Sequence, residues 1–326
     1  MKQSNHNSFD LSEEIVAAAI DLYKVYKAGN LETVALQGLS LSIREGEMLA
    51  VVGPSGSGKS TLLQALGGMI RSTAGAVYWS NCGRDISKLD QNRIIELRRT
   101  FMGFIFQKEN LIPHLKALQN VELSTRIASL PESRERAKRL LERVGLGKRM
   151  GFRPAMLSSG ERQRVAIACA LVNDPKLVLA DEPTGDLDLT TGEKVLDLFK
   201  ELNQETGAAF FIVTHSQQVA SRANRMLEIR DGALVGSHAR GADIGCLDGS
   251  RILNLDSLNR LSIPPYLLNE LKNPKSFKAR VEKGEIILCP YSKEGVEAAI
   301  SVVVCTVCGK VIKERRITCP NCGSML

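Results

Sequence analysis

Short apolar runs alternate with helical patterns from about residue 13 to residue 236. The runs Met48–Val52, 177–180 and 210–213 are continuously apolar, which is typical of strands buried on both faces of a sheet. Between them, apolar residues recur at i, i+3, i+4 and i+7, as in 137–144 and 195–202, and this period predicts amphipathic helices. The alternation predicts an α/β fold with a largely parallel sheet covered by helices.

The pattern changes near Gly236, where the chain loses its apolar period and is expected to form a linker. We predict three units: a large α/β domain over 13–238, a small β-rich segment over 248–292 and a short cysteine-containing end over 303–326. Within the second unit, Lys283-Gly284 joins two β-type runs, 278–282 and 285–288.

Composition limits the class of protein. The 326 residues are 44% hydrophobic and 24% charged, as in ordinary globular proteins of about two domains. No run approaches the roughly 18 apolar residues of a membrane span, and the first ten residues lack the pattern of a signal peptide. We therefore expect a cytoplasmic protein, in which cysteines are core residues or metal ligands and not disulfides.

The net charge of +7 is spread over the chain, and the part from residue 240 onward has 13 Lys and Arg against 9 Asp and Glu. Neither this part nor the rest is basic enough to indicate nucleic acid, so nucleic acid is not the expected partner.

A phosphate-binding loop follows the apolar run Met48–Val52 directly and precedes a helical pattern. It matches G-x-x-x-x-G-K-[ST], in which glycines let backbone N–H groups wrap a phosphate chain at a helix N-terminus. Lys59 is expected to reach the β- and γ-phosphates, and the Ser60 hydroxyl to ligate Mg²⁺. The predicted nucleotide-binding residues of this loop are Gly53, Ser55, Gly56, Ser57, Gly58, Lys59, Ser60 and Thr61.

Two acidic residues directly follow the apolar run 177–180. Asp181 is expected to hold Mg²⁺, and Glu182 is placed to polarise an attacking water. Taken alone they could be solvated acids at a strand end, but the phosphate loop in the same chain favours the catalytic interpretation.

Residues 157–166, Leu-Ser-Ser-Gly-Glu-Arg-Gln-Arg-Val-Ala, run from a loop into a helix that Ser158 or Ser159 could cap. They resemble the signature segment of ABC-type ATPases, and they lie about 20 residues before the acidic pair, as in that family. The remaining motifs of the family follow in order: Gln107 resembles the Q-loop, 185–188 the D-loop and His215 the H-loop.

The resemblance implies a P-loop NTPase with a RecA-like core and a helical subdomain. It implies that Ser158, Ser159 and Gly160 bind the γ-phosphate held by a second copy, so that ATP joins a homodimer. It further implies that Gln107 ligates Mg²⁺, that His215 senses the γ-phosphate, that Asp188 lies at the nucleotide, and that Tyr26 stacks on adenine, with Tyr23 as the competing candidate. Lys59, Gln107, Glu182 and His215 form the implied catalytic set.

Two positions depart from the family pattern. Ser159 stands where the family commonly has glycine, and its added hydroxyl can still donate to phosphate. Asp186 stands where the closest subfamily usually has Asn, which adds a negative charge near the expected dimer contact.

The segment 103–123 and the run 180–185 resemble the lipoprotein-release, macrolide-export and FtsE-like branch of the family. That branch implies a separate FtsX-like, lipoprotein-release or macrolide-export permease, with this chain peripheral on the inner face of the membrane. The segment from Gln107 to about Leu123 would receive a coupling helix. Leu111, Ile112 and Leu115 fit such a groove and a local core equally well.

Two C-x-x-C-G knuckles with ten residues between them end the chain, and they have the spacing of a four-thiolate zinc ribbon. A site filled by four cysteines is structural, and a redox dithiol is the alternative for either pair. The expected zinc ligands are Cys305, Cys308, Cys319 and Cys322. The segment before them resembles AbrB-like domains, which associate in pairs and could reinforce the dimer.

The function expected from the sequence is ATP hydrolysis, with Mg²⁺ as cofactor and structural Zn²⁺, by the nucleotide-binding subunit of an ABC transporter. A soluble ABC ATPase that acts on nucleic acid or a protein complex through its tail is the alternative. A third interpretation makes the tail a binding module gated by the ATPase.

Overall fold

The structure is a computed structural model of the chain. It describes residues 14–29 and 31–239, and, in the C-terminal part, positions 271, 274, 277–282, 285–290, 303–304 and 311–312. The four predicted zinc ligands lie outside the described residues. Among the residues described, no helix is both long and apolar enough to cross a membrane.

A six-stranded mixed sheet forms the centre of the ATPase unit, in the order β5-β6-β7-β3-β8-β9. The first five of these strands are parallel, and β9 pairs antiparallel with β8. Their bounds are β3 Met48–Val52, β5 Met102–Ile105, β6 Leu177–Asp181, β7 Ala209–Thr214, β8 Arg225–Arg230 and β9 Ala233–Ala239. The three strands predicted from continuous apolar runs are the adjacent strands β3, β7 and β6, and helices cover them as expected.

A second sheet is antiparallel, and the sequence pattern did not predict it. It has the order β2-β1-β4, with β1 Ile15–Ala28, β2 Leu31–Arg44 and β4 Ala74–Trp79. Four successive residues of β1, Val16 to Ala19, are buried, and bulges interrupt its pairing with β2. The period-two alternation that identifies a half-exposed antiparallel strand is therefore lost in the sequence.

Seven helices are described in the ATPase unit: α1 Lys59–Leu66, α2 Gln91–Phe101, α3 Ala117–Ile127, α4 Ser133–Arg143, α5 Ser159–Leu171, α6 Leu189–Thr206 and α7 Gln217–Arg222. Helices α4 and α6 confirm the periodic pattern, because Ala137, Leu141, Val195 and Phe199 are fully buried. Phe101 is the last residue of α2, and β5 begins at the next residue, Met102.

Two apolar cores lie on opposite faces of the mixed sheet. One joins that sheet to α3, α4, α5 and α6, and the other joins it to α1 and the antiparallel sheet. Trp79, the single tryptophan, is fully buried in the second core, where its indole Nε1 donates to the Leu66 carbonyl at 2.8 Å. Burial of so large a side chain stabilises the fold by about 2–3 kcal/mol.

The described part of the C-terminal region confirms the predicted β pair. Strand β10 Phe277–Glu282 pairs antiparallel with β11 Glu285–Pro290. Two further short strands, β12 Val303–Val304 and β13 Val311–Ile312, pair with each other.

Candidate active site

The phosphate-binding loop leaves the end of β3 and enters α1 at Lys59. Gly56 and Gly58 have φ of +80° and +99°, which L-residues rarely adopt. A Cβ at Gly58 would lie 2.3 Å from the Ala35 carbonyl oxygen, whereas one at Gly56 would meet nothing within 4 Å. The loop therefore presses against β2 at Gly58 and leaves open space beside Gly56.

Two polar groups of the loop have the form expected of a phosphate cradle. The Lys59 ammonium, 9% exposed as a residue, is held by the carbonyls of Gly53 and Pro54 at 2.8 and 2.9 Å. The Ser57 hydroxyl is buried and makes no hydrogen bond within the described structure. A fixed cation, an unsatisfied hydroxyl and the N-terminus of α1 together fit a polyphosphate.

Ser60 and Asp181 form the candidate Mg²⁺ site, because the Ser60 hydroxyl donates to Asp181 Oδ1 at 3.2 Å. Desolvation raises the pKa of Asp181, repulsion by Glu182 adds to this, and the Ser60 hydrogen bond and Lys59 oppose it. One hydroxyl and one carboxylate fit Mg²⁺, which usually takes few protein ligands and completes its shell with water and phosphate oxygens.

Glu182 follows Asp181 and makes contact with the end of β7. Its Oε1 lies 2.8 Å from His215 Nδ1, and its Oε2 accepts hydrogen bonds from the Thr214 hydroxyl at 3.0 Å and from the His215 backbone N–H at 3.2 Å. The Glu182 side chain is 15% exposed, and that of His215 is 69% exposed. Glu182 also has a φ of +45°, a strained conformation for glutamate.

Gln107 lies two residues beyond β5, and its side-chain amide donates to Asp186 Oδ1 at 3.2 Å. This contact joins the expected Q-loop to the expected D-loop. Asp188 caps α6, because its Oδ1 accepts from the Thr191 backbone N–H at 3.0 Å, and hydrogen bonds from Thr191 hold the pKa of Asp188 below its usual range.

Ser158 is the N-cap of α5 and forms a capping box with Glu161. Its hydroxyl accepts from the Glu161 N–H at 3.2 Å, while Glu161 Oε2 accepts from the Ser158 N–H at 2.9 Å. Gly160 packs on α6 so closely that a Cβ there would lie 2.4 Å from Thr191 Cγ2. The capping box leaves the Ser158 O–H proton free to donate.

The structure brings one group of the predicted residues together and leaves others apart. Two contacts join predicted residues at the carboxyl ends of β3, β6 and β7, where ligands bind in α/β sheets: the Ser60 hydroxyl with Asp181, and Glu182 with His215. Lys59 precedes Ser60 at the start of α1 and is held by carbonyls of its own loop. Within the described structure no hydrogen bond joins the signature residues to the phosphate loop.

Tyr26 also lies apart from that group. It is 42% exposed on β1, and the Lys24 ammonium lies 5.0 Å from the centroid of its ring. The competing Tyr23 packs over Gly38, where a Cβ would lie 2.7 Å from its hydroxyl.

Comparison with known proteins identifies the family. A family model for ABC transporters matches residues 36–185. An ABC transporter ATP-binding protein of Thermotoga maritima is 46% identical over 232 residues, which are 71% of this chain and 98% of that relative. The chain belongs to the ABC transporter ATP-binding family. It is an ABC-type ATPase with the α/β P-loop fold and a mixed sheet.

Solved ABC structures agree with this assignment. The ATP-binding cassette MJ0796, solved as a dimer in a post-hydrolysis state with ADP and Pi, is 40% identical with a TM-score of 0.63 and covers 68% of this chain and 98% of its own. CbiO1 of Clostridium perfringens, part of the ABC transporter complex CbiONQ, is 28% identical with a TM-score of 0.63, over 70% of this chain and 89% of its own.

Several contacts in the candidate site were not predicted from the sequence. Thr214 donates to Glu182, and the Gln163 amide donates to the Pro183 carbonyl at 2.8 Å, which ties α5 to the end of β6. Glu109 pairs with Arg162 at 2.9 Å. The position of Thr214 beside His215 is a usable signal, whereas the two longer-range contacts have none in a single sequence.

Proposed function

We propose that this ABC ATPase is the nucleotide-binding subunit of a transporter, that it homodimerises through ATP, and that it drives a separate membrane permease. The observation that carries the proposal is the group Lys59, Ser60, Asp181, Glu182 and His215, which combines a phosphate-binding cation, a candidate Mg²⁺ site and a candidate general base at one end of the mixed sheet.

The residues divide into nucleotide-binding and metal-binding roles. Ser60, Gln107 and Asp181 would hold Mg²⁺, which when bound neutralises phosphate charge. The larger exposure of Tyr26 supports it over Tyr23 as the surface for adenine. The remaining phosphate-binding positions would be Gly53, Ser55, Gly56, Ser57, Gly58, Lys59 and Thr61.

Glu182 acts as the general base in this proposal. Its two oxygens are oriented by Thr214 and His215, and a carboxylate held in this way can accept a proton from water in line with the γ-phosphate. His215 remains largely exposed, so its free edge can contact the phosphate that Glu182 helps to release.

The dimer would complete the site. Ser158, Ser159 and Gly160 at the start of α5 would bind the γ-phosphate held by the second copy, with Asp188 beside it, and Met156 and Leu189 near these segments are 63% and 74% exposed. The dimeric structure of MJ0796 supports this arrangement.

The permease would dock on the segment that follows Gln107. Leu111 packs against the helical core, and Asn120 Oδ1 accepts from the Ile112 N–H at 2.7 Å, so this segment is anchored from within while Pro113 and His114 are exposed. The finer assignment of the partner, an FtsX-like, lipoprotein-release or macrolide-export permease, rests on the sequence resemblance. We place the protein on the cytoplasmic face of the membrane.

For the end of the chain we propose a structural zinc ribbon held by Cys305, Cys308, Cys319 and Cys322, preceded by an AbrB-like pairing segment that contains β10 and β11. The spacing of the two knuckles supports it. About one equivalent of zinc, lost in Cys308→Ser, is expected by elemental analysis. A metal-free protein in a fully reduced preparation would contradict the ribbon.

Substitution of Glu182 by Gln tests the ATPase part of the proposal. The variant should bind ATP as the wild type does, lose at least about 100-fold in turnover and accumulate as an ATP-bound dimer, because only the proton acceptor is removed. ATP binding, phosphate release and sedimentation measure these properties. Normal turnover would remove Glu182 from the role of base.

A further inference from the structure

An ion pair joins the expected Q-loop to the signature helix. Arg162 Nε donates to Glu109 Oε1 at 2.9 Å, and the two side chains are 34% and 21% exposed. Glu109 lies two residues after Gln107, and Asn110 next to it has a φ of +51°, so the chain turns sharply at this contact.

The same guanidinium holds the start of α5. Arg162 Nη1 donates to the Leu157 carbonyl at 3.0 Å, and the Arg162 backbone N–H donates to the Ser158 carbonyl at 2.9 Å. The planar guanidinium of Arg162 therefore connects the loop that carries Gln107 to Leu157, the residue directly before the N-cap of α5.

The charge of Arg162 is not placed to stabilise its own helix. A cation in the first turn opposes the helix dipole, which favours anions there. Glu109 offsets this charge from another element. The pair is better suited to fix the loop and the helix end relative to each other than to strengthen α5 itself.

We propose that Glu109 and Arg162 are positioning residues that make the Gln107 loop and the N-terminus of α5 move as one unit. The inference rests on the proposed function, because it concerns how the signature end of one copy reaches the nucleotide of the other. Movement of the segment beyond Gln107 then displaces Ser158 and its neighbours through the ion pair.

Substitution of Glu109 by Gln separates positioning from electrostatics. If the pair positions the helix end, the variant needs more ATP to dimerise. If Glu109 acts only through its charge, its removal leaves Arg162 unneutralised beside the expected phosphate and dimerisation needs less ATP. A purely structural pair would lower thermal stability and leave dimerisation unchanged.

The experiment uses the full chain with Glu182→Gln in the background and measures by sedimentation the ATP concentration that gives half-maximal dimer. Glu109→Gln should raise it about 5-fold, as expected for a partly buried pair. The charge-swapped variant Glu109→Arg with Arg162→Glu should recover part of the loss, because it restores the ion pair but not the hydrogen bond from residue 162 to the Leu157 carbonyl. Melting temperature without nucleotide is recorded for each variant.

Glu205→Gln is the matched control. Glu205 of α6 pairs with Arg143 of α4, so this variant also loses an ion pair between two elements, but outside the nucleotide site, and Arg143 keeps Glu201 as its second partner. It should leave the half-maximal ATP concentration unchanged.

An unchanged or lower ATP requirement in Glu109→Gln, or no recovery by the folded charge swap, would overturn the positioning role. If the Glu182→Gln parent fails to dimerise with ATP, the proposed function itself fails, so the two failures are distinct.

Discussion

At the scale of residues, the ABC site depends on a few backbone positions with little freedom. Gly58 combines a left-handed φ with contact against the Ala35 carbonyl, and Gly56 has a left-handed φ with open space beside it. The sequence motif predicted both glycines, but it could not distinguish them, because the difference lies in a contact with β2.

We therefore expect Gly58→Ala and Gly56→Ala to lower the free energy of unfolding by different amounts. Gly56→Ala should lower the free energy of unfolding by about 1 kcal/mol, the cost of a left-handed L-residue. Gly58→Ala should lower it by at least about 3 kcal/mol, because the methyl group also meets the Ala35 carbonyl. Chemical denaturation measures both values, and equal losses would contradict the contact with β2.

Asp181 shows a conflict between stability and function. Desolvation raises its pKa above the ordinary 3.8, so the folded state loses stability as pH rises from 3.8 through the raised value. At pH values above the raised pKa the whole loss of folding stability is present. Below pH 3.8 the carboxyl is protonated in both the folded and the unfolded state, so it causes no loss of stability.

Asp181→Asn should therefore melt higher than the wild type at neutral pH and lose this advantage as the solution is acidified toward pH 3.8. Asn can still accept the Ser60 hydrogen bond. Turnover should fall at least about 10-fold, because a proposed Mg²⁺ ligand is lost. Calorimetry across pH checks the first expectation, and a lower melting temperature at pH 7 would contradict it.

At the scale of elements, strands and helices with strong patterns were predictable from the sequence and the antiparallel sheet was not. Strand β3 begins and ends at the predicted residues. Strand β6 is one residue longer than its apolar run at the C-terminal end, and β7 is one residue longer than its run at both ends. Strand β1 was not predicted, because its buried run from Val16 to Ala19 lacks the alternation of apolar and polar residues that marks a half-exposed strand.

Two aspartate N-caps allow the stabilising role of a helix cap to be separated from a role in the dimer. Asp90 and Asp188 cap α2 and α6 in the same way, each accepting a backbone N–H at 3.0 Å. Only Asp188 belongs to the proposed dimer contact.

Asp90→Ala and Asp188→Ala should lower the melting temperature by similar small amounts, because each removes one cap. In a Glu182→Gln background, only Asp188→Ala should weaken ATP-dependent dimerisation. Sedimentation with ATP measures this difference, and equal dimerisation of the two variants would remove Asp188 from the contact.

At the scale of the whole molecule, the mixed sheet brings the phosphate loop, the acidic pair and His215 to the carboxyl ends of its inner strands β3, β6 and β7, while the signature segment begins helix α5. The order of the motifs in the sequence predicted the members of both groups. It could not predict the contacts that the Gln107 loop makes, Gln107 with Asp186 and Glu109 with Arg162, because these depend on how loops pack after folding.

The most direct test of the transport function is to capture the Glu182→Gln protein with ATP from detergent-solubilised membranes of its own host and to identify what accompanies it. A transporter subunit should retain an integral membrane protein in stoichiometric amount with ATP and lose it without ATP. Recovery of soluble protein or nucleic acid alone would leave the ATPase in place and contradict the transport function.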